Sequence, residues 1–487
     1  MYIVMITPEC APIAKVGGLG DVVQGLSNEL SIRGNTVELI LPKYDCMRYE
    51  RIWGLEKTHN NLWVPYHDQW IPCDVYFGFA EGLKCFFIEP HNGFFQRGTY
   101  YGQPDDPQRF AFFCKAALEF MLRSNKYPEI IHCHDWQTGL VPVLLFEQYK
   151  YLGMTHPRVC YTLHNMRHQG VTGGHILQQV GLDPAAYMTP ERLLDHTYPH
   201  GVNLMKGGIV FSNFITTVSP RYLDEIRYTD QGYGLQHTLH EHSQKLGGIL
   251  NGVDYKVWNP DIDPYIAARY NLKTLDKKYE NKTALRHRLW LRDEYKPIVG
   301  VISRLDPQKG VELIRHALFY CLANGCQFVL LGASASNSIN ADFWYLKQYL
   351  NDDPDCHLEI GYDEDLAHQI YAGADMLIVP SIYEPCGLTQ MIAMKYGTVP
   401  IVRHVGGLAD TVFDANYAHK PYHERNGFVF HDFNHEGIEA ALHRAIGLWY
   451  EYPQYFRELM ENGMRYDFSW NHPGQHYLNI YHHIQEI

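Results

Sequence analysis

Acids, cations and glycines stand at the ends of short apolar runs throughout this chain, and their types suit sugar and phosphate chemistry. Glu384 follows the run MLIVPS, and Pro385 and Gly387 then break that run before a helix-like stretch begins. An acid so placed can hold sugar hydroxyls while the neighbouring helix-terminal N–H groups hold phosphate. In SRLDPQKGVELI, Arg304 and Lys309 can clamp a diphosphate leaving group, arginine being suited to bidentate phosphate contact. Two exposed loop cations are the plainer alternative. PECAPIAKVGGLGDVV carries Lys15 as a point charge beside Gly17, Gly18 and Gly20, which let the backbone approach a ligand ahead of a helix N-terminus. This spacing matches neither the dinucleotide nor the P-loop fingerprint. Taken alone, the glycines fit a tight strand-to-helix turn with a solvated lysine.

Histidines and acids end two further runs. In IIHCHDWQTGL, His132 and His134 share one strand face and look like metal ligands, but no third ligand stands at a convincing spacing, so no metal is expected. Asp135 is the better candidate for hydrogen-bonding a sugar hydroxyl, with Trp136 as its apolar neighbour. In YTLHNMRHQG, His164 and Asn165 end another run. A lone histidine is usually structural; two run ends with His or Asp, in a domain whose first turn holds the Lys15 loop, favour a site. RHVGGLADTV repeats the arrangement of strand, double glycine and helix at Gly406 and Gly407. D-x-D patterns at Asp261–Asp263 and Asp363–Asp365 would suit metal-dependent sugar transfer, but neither follows a buried run, so both read as solvated acids.

The elements that must position these residues alternate between strand-like and helix-like patterns. YIVMIT, TVELILP, KCFFIEP, EIIHCHD, RVCYTLHN, FITTVS and GGILNGV come first, then PIVGVISR, QFVLLGA, HLEIGY, MLIVPS, VPIVRH and GFVFH. Continuous apolar runs of this kind fit strands buried on both faces of a parallel sheet, and RFAFFCKAALEFMLRS and HEGIEAALHRAIGLWYEY read as helices. The expected fold is α/β: two Rossmann-like, doubly wound domains facing a cleft. A length of 487 residues exceeds one ordinary core, and the pattern restarts near Pro297 after the polar stretch LKTLDKKYENKTALRHRL. The expected division is 1–248, 249–455 and a segment 456–487 that packs back on the first domain, with a hinge near Gly247 to Val253.

A formal charge of −13 argues against nucleic-acid binding, which needs a basic footprint. The eleven cysteines are odd in number and scattered, as reduced intracellular thiols are. Met1 leads directly into YIVMI, so no signal peptide is expected, and no apolar run approaches a membrane span. The expected compartment is the cytoplasm, or the plastid stroma if a transit peptide has been removed.

Seven segments, KVGGLGDV, HDWQTGL, HNMRHQG, LNGVDYKVWNP, SRLDPQKG, EPCGLTQMIAM and VGGLADTV, occur in the order found in bacterial glycogen synthases and plant starch synthases, and the resemblance runs from Met1 to about Trp470. The valine after the lysine of KVGGL is similar to the soluble starch synthases of types III and IV. This resemblance implies a two-domain GT-B fold and glucose transfer, with retention, from ADP-glucose to the non-reducing end of an α-1,4-glucan or maltooligosaccharide. It implies that Lys15, Arg304 and Lys309 engage the diphosphate, that Glu384 orients the donor glucose and that His164 stands beside the reacting centre. It assigns Gly17, Gly18, Asn251, Tyr362, Cys386, Gly387, Leu388 and Thr389 to the donor, Tyr362 against adenine. Asp135, Trp136 and Asn165 fall on the acceptor side. Many retaining GT-B enzymes carry a second glutamate eight positions after the first; that slot is Ile392 here.

With Arg304 and Lys309 meeting the charge on the departing phosphate, neither cofactor nor metal is expected. No covalent nucleophile is evident, so same-face attack through a short-lived ion pair is the expected course. The alternatives are a related transferase using a UDP-sugar and a weakly active glucan-binding or priming protein; the intact cation and glutamate set argues against the second.

Overall fold

The apolar runs become the strands of two parallel sheets. The structure is a computed structural model that describes residues 1–350 and 352–486. The chain forms two compact units, one of Met1–Gly252 with Trp470–Ile487, the other of Val253–Ser469. The strands of the first are β1 (Tyr2–Ile6), β2 (Thr36–Pro42), β3 (Trp53–Tyr66), β4 (Gln69–Ala80), β5 (Leu83–Pro90), β6 (Ile130–His134), β7 (Arg158–Leu163), β8 (Val171–Gly173), β9 (Gly201–Asn203), β10 (Phe214–Thr217) and β11 (Leu246–Gly248). Nine of them form one sheet in the order β11-β10-β7-β6-β1-β2-β5-β4-β3. It is parallel from β11 to β5 and antiparallel from β5 to β3, while β8 and β9 pair separately. Ile3, Val4, Met5 and Ile6 of β1 are wholly buried, as a central strand covered on both faces requires.

The second unit holds β12 (Ile298–Ile302), β13 (Gln327–Gly332), β14 (Cys356–Ile360), β15 (Met376–Val379), β16 (Val399–Arg403) and β17 (Phe428–Phe430), all parallel in the order β14-β13-β12-β15-β16-β17. In each sheet the winding reverses beside the first strand, between β1 and β6 and between β12 and β15. Ligands of such sheets bind outside the carboxyl ends of the strands at that reversal. Glu9 and Asp135 follow β1 and β6; Arg304 and Glu384 follow β12 and β15.

Three elements differ from the sequence reading. The polar stretch before Pro297 forms a short turn at Leu272–Lys277 and then the helix Lys278–Leu289, whose inward face is charged. Lys278 donates to the carbonyls of Tyr371 and Ala372, and Lys282 pairs with Asp375 at 2.8 Å. The segment drawn as 456–487 begins inside the helix Pro453–Arg465, where Asn462 donates to the Tyr422 and Arg425 carbonyls of the second unit. The return to the first unit starts at Trp470, whose indole fills the space a side chain at Gly25 would need. Finally, Asp263 is no solvated acid: it is buried and accepts from Tyr396 Oη at 2.5 Å while bonding His368 Nδ1 at 2.7 Å. Asp363 caps the helix Glu364–Gly373 through the Leu366 amide and pairs with Arg288.

Candidate active site

In the first unit, the turn after β1 is tied down by an acid that the sequence reading passed over. Glu9 is buried and accepts from the amides of Val16 and Gly17 at 2.7 and 3.1 Å and from Tyr101 Oη at 2.7 Å. Burial pushes its carboxyl up, against those three hydrogen bonds. The glycine loop is thus held from beneath, and Gly17 becomes the N-cap of the helix Gly18–Ile32. A Cβ at Gly17 or Gly18 would meet nothing within 4 Å, so the chain's own packing demands glycine at neither position. Lys15 is half exposed and pairs with Asp21 at 2.8 Å.

At the neighbouring strand end, Asp135 has φ 56° and ψ −177°, a conformation that is costly for any residue but glycine and persists where surroundings over-determine it. Its Oδ1 accepts from the His164 amide at 2.7 Å and the Asn165 amide at 3.5 Å, joining the ends of β6 and β7. Burial chiefly, with a contribution from the Glu9 charge, pushes the Asp135 carboxyl up to about 7. His164 Nε2 lies 3.0 Å from His134 Nδ1, and burial drives the His164 imidazole down to about 3, so it is neutral at neutral pH. Asn165 is half-buried and accepts from the Arg167 amide. Trp136, assigned to the acceptor side, is mostly buried: it packs edge-on to Phe110 and fills the space beside Gly170. Asn251 is buried near the end of this unit, and its Oδ1 has no hydrogen-bond partner among the described residues.

In the second unit the two strand ends meet through an ion pair. Lys309 Nζ is 2.5 Å from Glu384 Oε2, and Ser381 Oγ donates to the same oxygen at 2.8 Å. Lys309 therefore carries its charge next to the glutamate; in sequence the two are 75 positions apart. A pocket of about 180 Å³ opens here, lined by Ser303, Arg304, Lys309, Ser381 and Thr389 among others. Arg304 is exposed and paired only loosely, with Asp306 at 3.0 Å.

Two glycines explain how the turn Glu384–Thr389 keeps its shape. The amide of Gly407 donates to the Glu384 carbonyl at 3.1 Å, and a Cβ at Gly407 would stand 2.1 Å from the Cys386 carbonyl oxygen. Gly387, at φ 75°, turns the chain so that Leu388 caps the helix Thr389–Lys395. Cys386 is buried beneath this turn. Tyr362, assigned to adenine, is 78% exposed after β14. It and Asn251 are not among the pocket-lining residues. All eleven cysteines are free thiols. Among the described residues no three His, Cys, Asp or Glu side chains gather as a metal site would need, and no helix is long and apolar enough to cross a membrane.

Comparison with known proteins adds to this geometry. The family model described as "Starch synthase catalytic domain" matches residues 2–241, and that for "Glycosyl transferases group 1" matches residues 285–461. The chain is 62% identical to glycogen synthase 2 of Methylococcus capsulatus over 99% of both chains. It is 59% identical to glycogen synthase 1 of a Synechococcus strain, again over 99% of both. Among solved structures, the catalytic domain of starch synthase IV from Arabidopsis thaliana, bound to ADP and acarbose, superposes with a TM-score of 0.97 at 45% identity over 100% of this chain and 99% of that one.

Proposed function

The chain belongs to the glycogen synthase and starch synthase family, with its GT-B fold and its glucosyl transfer from ADP-glucose to an α-1,4-glucan, and we propose a division of labour among its residues on that footing. Arg304 and Lys309 meet the diphosphate, with Lys15 as a further cation. Glu384 holds the donor glucose, and Lys309 holds Glu384. The Cys386–Thr389 turn offers its backbone amides to phosphate and sugar, Gly17 and Gly18 admit the donor closely, and Tyr362 and Asn251 complete its binding. Asp135, Trp136 and Asn165 stand on the acceptor side, and His164 stands beside the reacting centre.

The observation that carries this reading is the Lys309–Glu384 contact at the β12/β15 reversal, beside a pocket that Arg304 lines. When the glycosidic bond to phosphate breaks, charge grows on the departing oxygen, and preorganised cations stabilise that charge more than they stabilise the bound donor. The acceptor hydroxyl then attacks the same face of a short-lived glucosyl cation, which retains the configuration. Cations rather than a metal carry the charge, so chemistry proceeds without a cofactor. The acceptor is a glucan or maltooligosaccharide; nucleic acid and membrane are not partners, and the working compartment is the cytoplasm.

The deciding experiment incubates the enzyme with labelled ADP-glucose or UDP-glucose and a maltooligosaccharide, then sizes the products. Stepwise extension from ADP-glucose, far faster than from UDP-glucose in kcat/KM, is expected. Equal or reversed preference would overturn the donor assignment, and label bound without extension would mark a glucan-binding protein.

A further inference from the structure

His164 does not stand alone in the first unit. Its Nε2 is 3.0 Å from Nδ1 of His134, the last residue of β6. His134 is wholly buried, and its other nitrogen, Nε2, has no hydrogen-bond partner among the described residues. Its ring stacks on that of His132 at 4.3 Å and 28°. His132 is fixed at both nitrogens, Nδ1 by Tyr481 Oη at 2.7 Å and Nε2 by Thr162 Oγ1 at 2.6 Å. Tyr481 belongs to the C-terminal helix Asn471–Glu486. A rigid floor therefore lies under His134, and of these two stacked rings it is His134 that bonds the His164 imidazole.

The direction of the hydrogen bond between the two rings follows from the unpartnered nitrogen. Both imidazoles are neutral at neutral pH, since burial lowers each far below its ordinary value, so one proton is shared along Nδ1···Nε2. If His164 donated from Nε2, His134 would have to carry its own proton on Nε2, a buried N–H with no acceptor. If His134 donates from Nδ1, its Nε2 is left with only a buried lone pair. Buried N–H groups without a partner are rarer in folded proteins than under-satisfied acceptors, so the second arrangement wins. His164 then bears its proton on Nδ1.

We propose that His134 is a positioning residue that locks His164 as the neutral Nδ1–H tautomer, making it a hydrogen-bond donor to substrate rather than a general acid or base. The inference rests on the reading of His164 as a residue of the reacting centre, but its direct readout does not. Asp135 complements it by fixing the His164 backbone, so that β6 supplies both restraints.

The test is long-range ¹H–¹⁵N correlation of histidine-labelled enzyme at pH 7, with the His164 signals identified by their loss in His164→Asn. A proton on Nδ1 of His164 is expected in the wild type. His134→Phe, which keeps the stack on His132 but has no donor, should release the tautomer and lower kcat about tenfold, the worth of one hydrogen bond, with KM changed less. His134→Asn carries an amide N–H at about the level of Nδ1 and should recover the tautomer and most of kcat. A wild-type His164 protonated on Nε2, or on both nitrogens, overturns the proposal whether or not any variant folds. So does an unchanged tautomer in His134→Phe. If His164→Asn keeps full kcat while the wild-type tautomer is as expected, it is the role of His164 in the reaction that fails, not the lock.

Discussion

Removing the cation of the Lys309–Glu384 pair should affect stability and turnover for separable reasons. In Lys309→Met the stem is kept, but the Glu384 carboxylate, 7% exposed, loses its only counter-ion among the contacts described above and retains Ser381 Oγ. Breaking a buried pair from one side costs about 3–5 kcal/mol. Lys309 is 19% exposed, so water reaches the site and the lower end, about 3 kcal/mol, applies. For a domain of about 150–250 residues that is a fall of roughly 6–12 °C in the unfolding midpoint. Glu384→Gln leaves a lysine that can turn to solvent and should cost about 1 kcal/mol. The double variant holds neither charge, so it should be more stable than Lys309→Met alone, with a coupling of about 2 kcal/mol. Turnover behaves differently. Lys309→Met should lose on the order of 10²–10³ in kcat, and the double variant should not regain it, because the departing phosphate still lacks its cation. Arg304→Ala, exposed and paired only with Asp306, should lose kcat with a midpoint change under about 0.5 kcal/mol. Calorimetry and initial-rate kinetics on the wild type and these four variants decide the matter. Additive midpoints would mean that the pair is not a stabilising contact, and wild-type kcat in both Lys309→Met and Arg304→Ala would refute the diphosphate role.

Four further outcomes are expected. Gly18→Ala should leave the midpoint unchanged or slightly raised, and Gly17→Ala, at an N-cap where glycine is preferred to alanine, should lower it slightly, yet both should reduce kcat/KM for ADP-glucose, whereas Gly407→Ala should unfold the second unit, its Cβ being 2.1 Å from a carbonyl oxygen; thermal scans and donor titrations distinguish them. The Asp135 carboxyl is raised to about 7, so it is protonated below that value, and kcat/KM should fall as pH drops through about 7, an inflection that Asp135→Asn removes. The same raised value makes ionisation cost stability as pH climbs from about 4 to 7, while the depressed His132 and His164 make the fold lose stability as pH falls from about 6.5 towards 3; midpoints against pH in wild type and Asp135→Asn check both slopes. Chelation with EDTA should leave most activity intact, and a complete loss restored by a divalent ion would contradict charge stabilisation by Arg304 and Lys309.

Where burial is apolar, the sequence was readable. Twelve of the thirteen runs read as strands form strands of the two sheets, because a parallel strand covered on both faces must be continuously apolar, while GGILNGV gives β11 only Gly247 and Gly248. The hairpin β3–β4 was not read, since β3 is mostly exposed and its register shifts at several points, leaving no alternation. The helix Lys278–Leu289 was not read for the opposite reason. Its buried face sets Lys278, Lys282 and Arg286, satisfied by carbonyl and carboxylate oxygens, among Asn281, Leu285 and Leu289, so its sequence looks solvated. Asp263 is the same case. Glu9 had a usable signal that went unweighed: it is an acid just beyond a buried strand, as Asp135 and Glu384 are. The His134–His164 contact had none, because it depends on the lateral order β6-β7, which only the fold supplies.

The two double-glycine turns make the general point, for KVGGLGD and HVGGLAD are nearly the same string and answer to different demands. At Gly406 and Gly407 the reason for glycine lies within the chain: φ is 46° at the first, and a Cβ on either would strike the Glu384–Cys386 backbone. That turn exists to bring one backbone against another and so to fix the shape of the site. At Gly17 the backbone is extended, at φ −145°, and Gly18 opens a helix, where alanine would be favoured by up to about 1 kcal/mol. Neither position has a neighbour that forbids a side chain, while Glu9 holds the loop in place by its amides alone. Gly18 therefore costs the helix some stability with no packing reason among the described residues. The proposed close approach of the donor at Gly17 and Gly18 accounts for glycine at a helix start that packing leaves open.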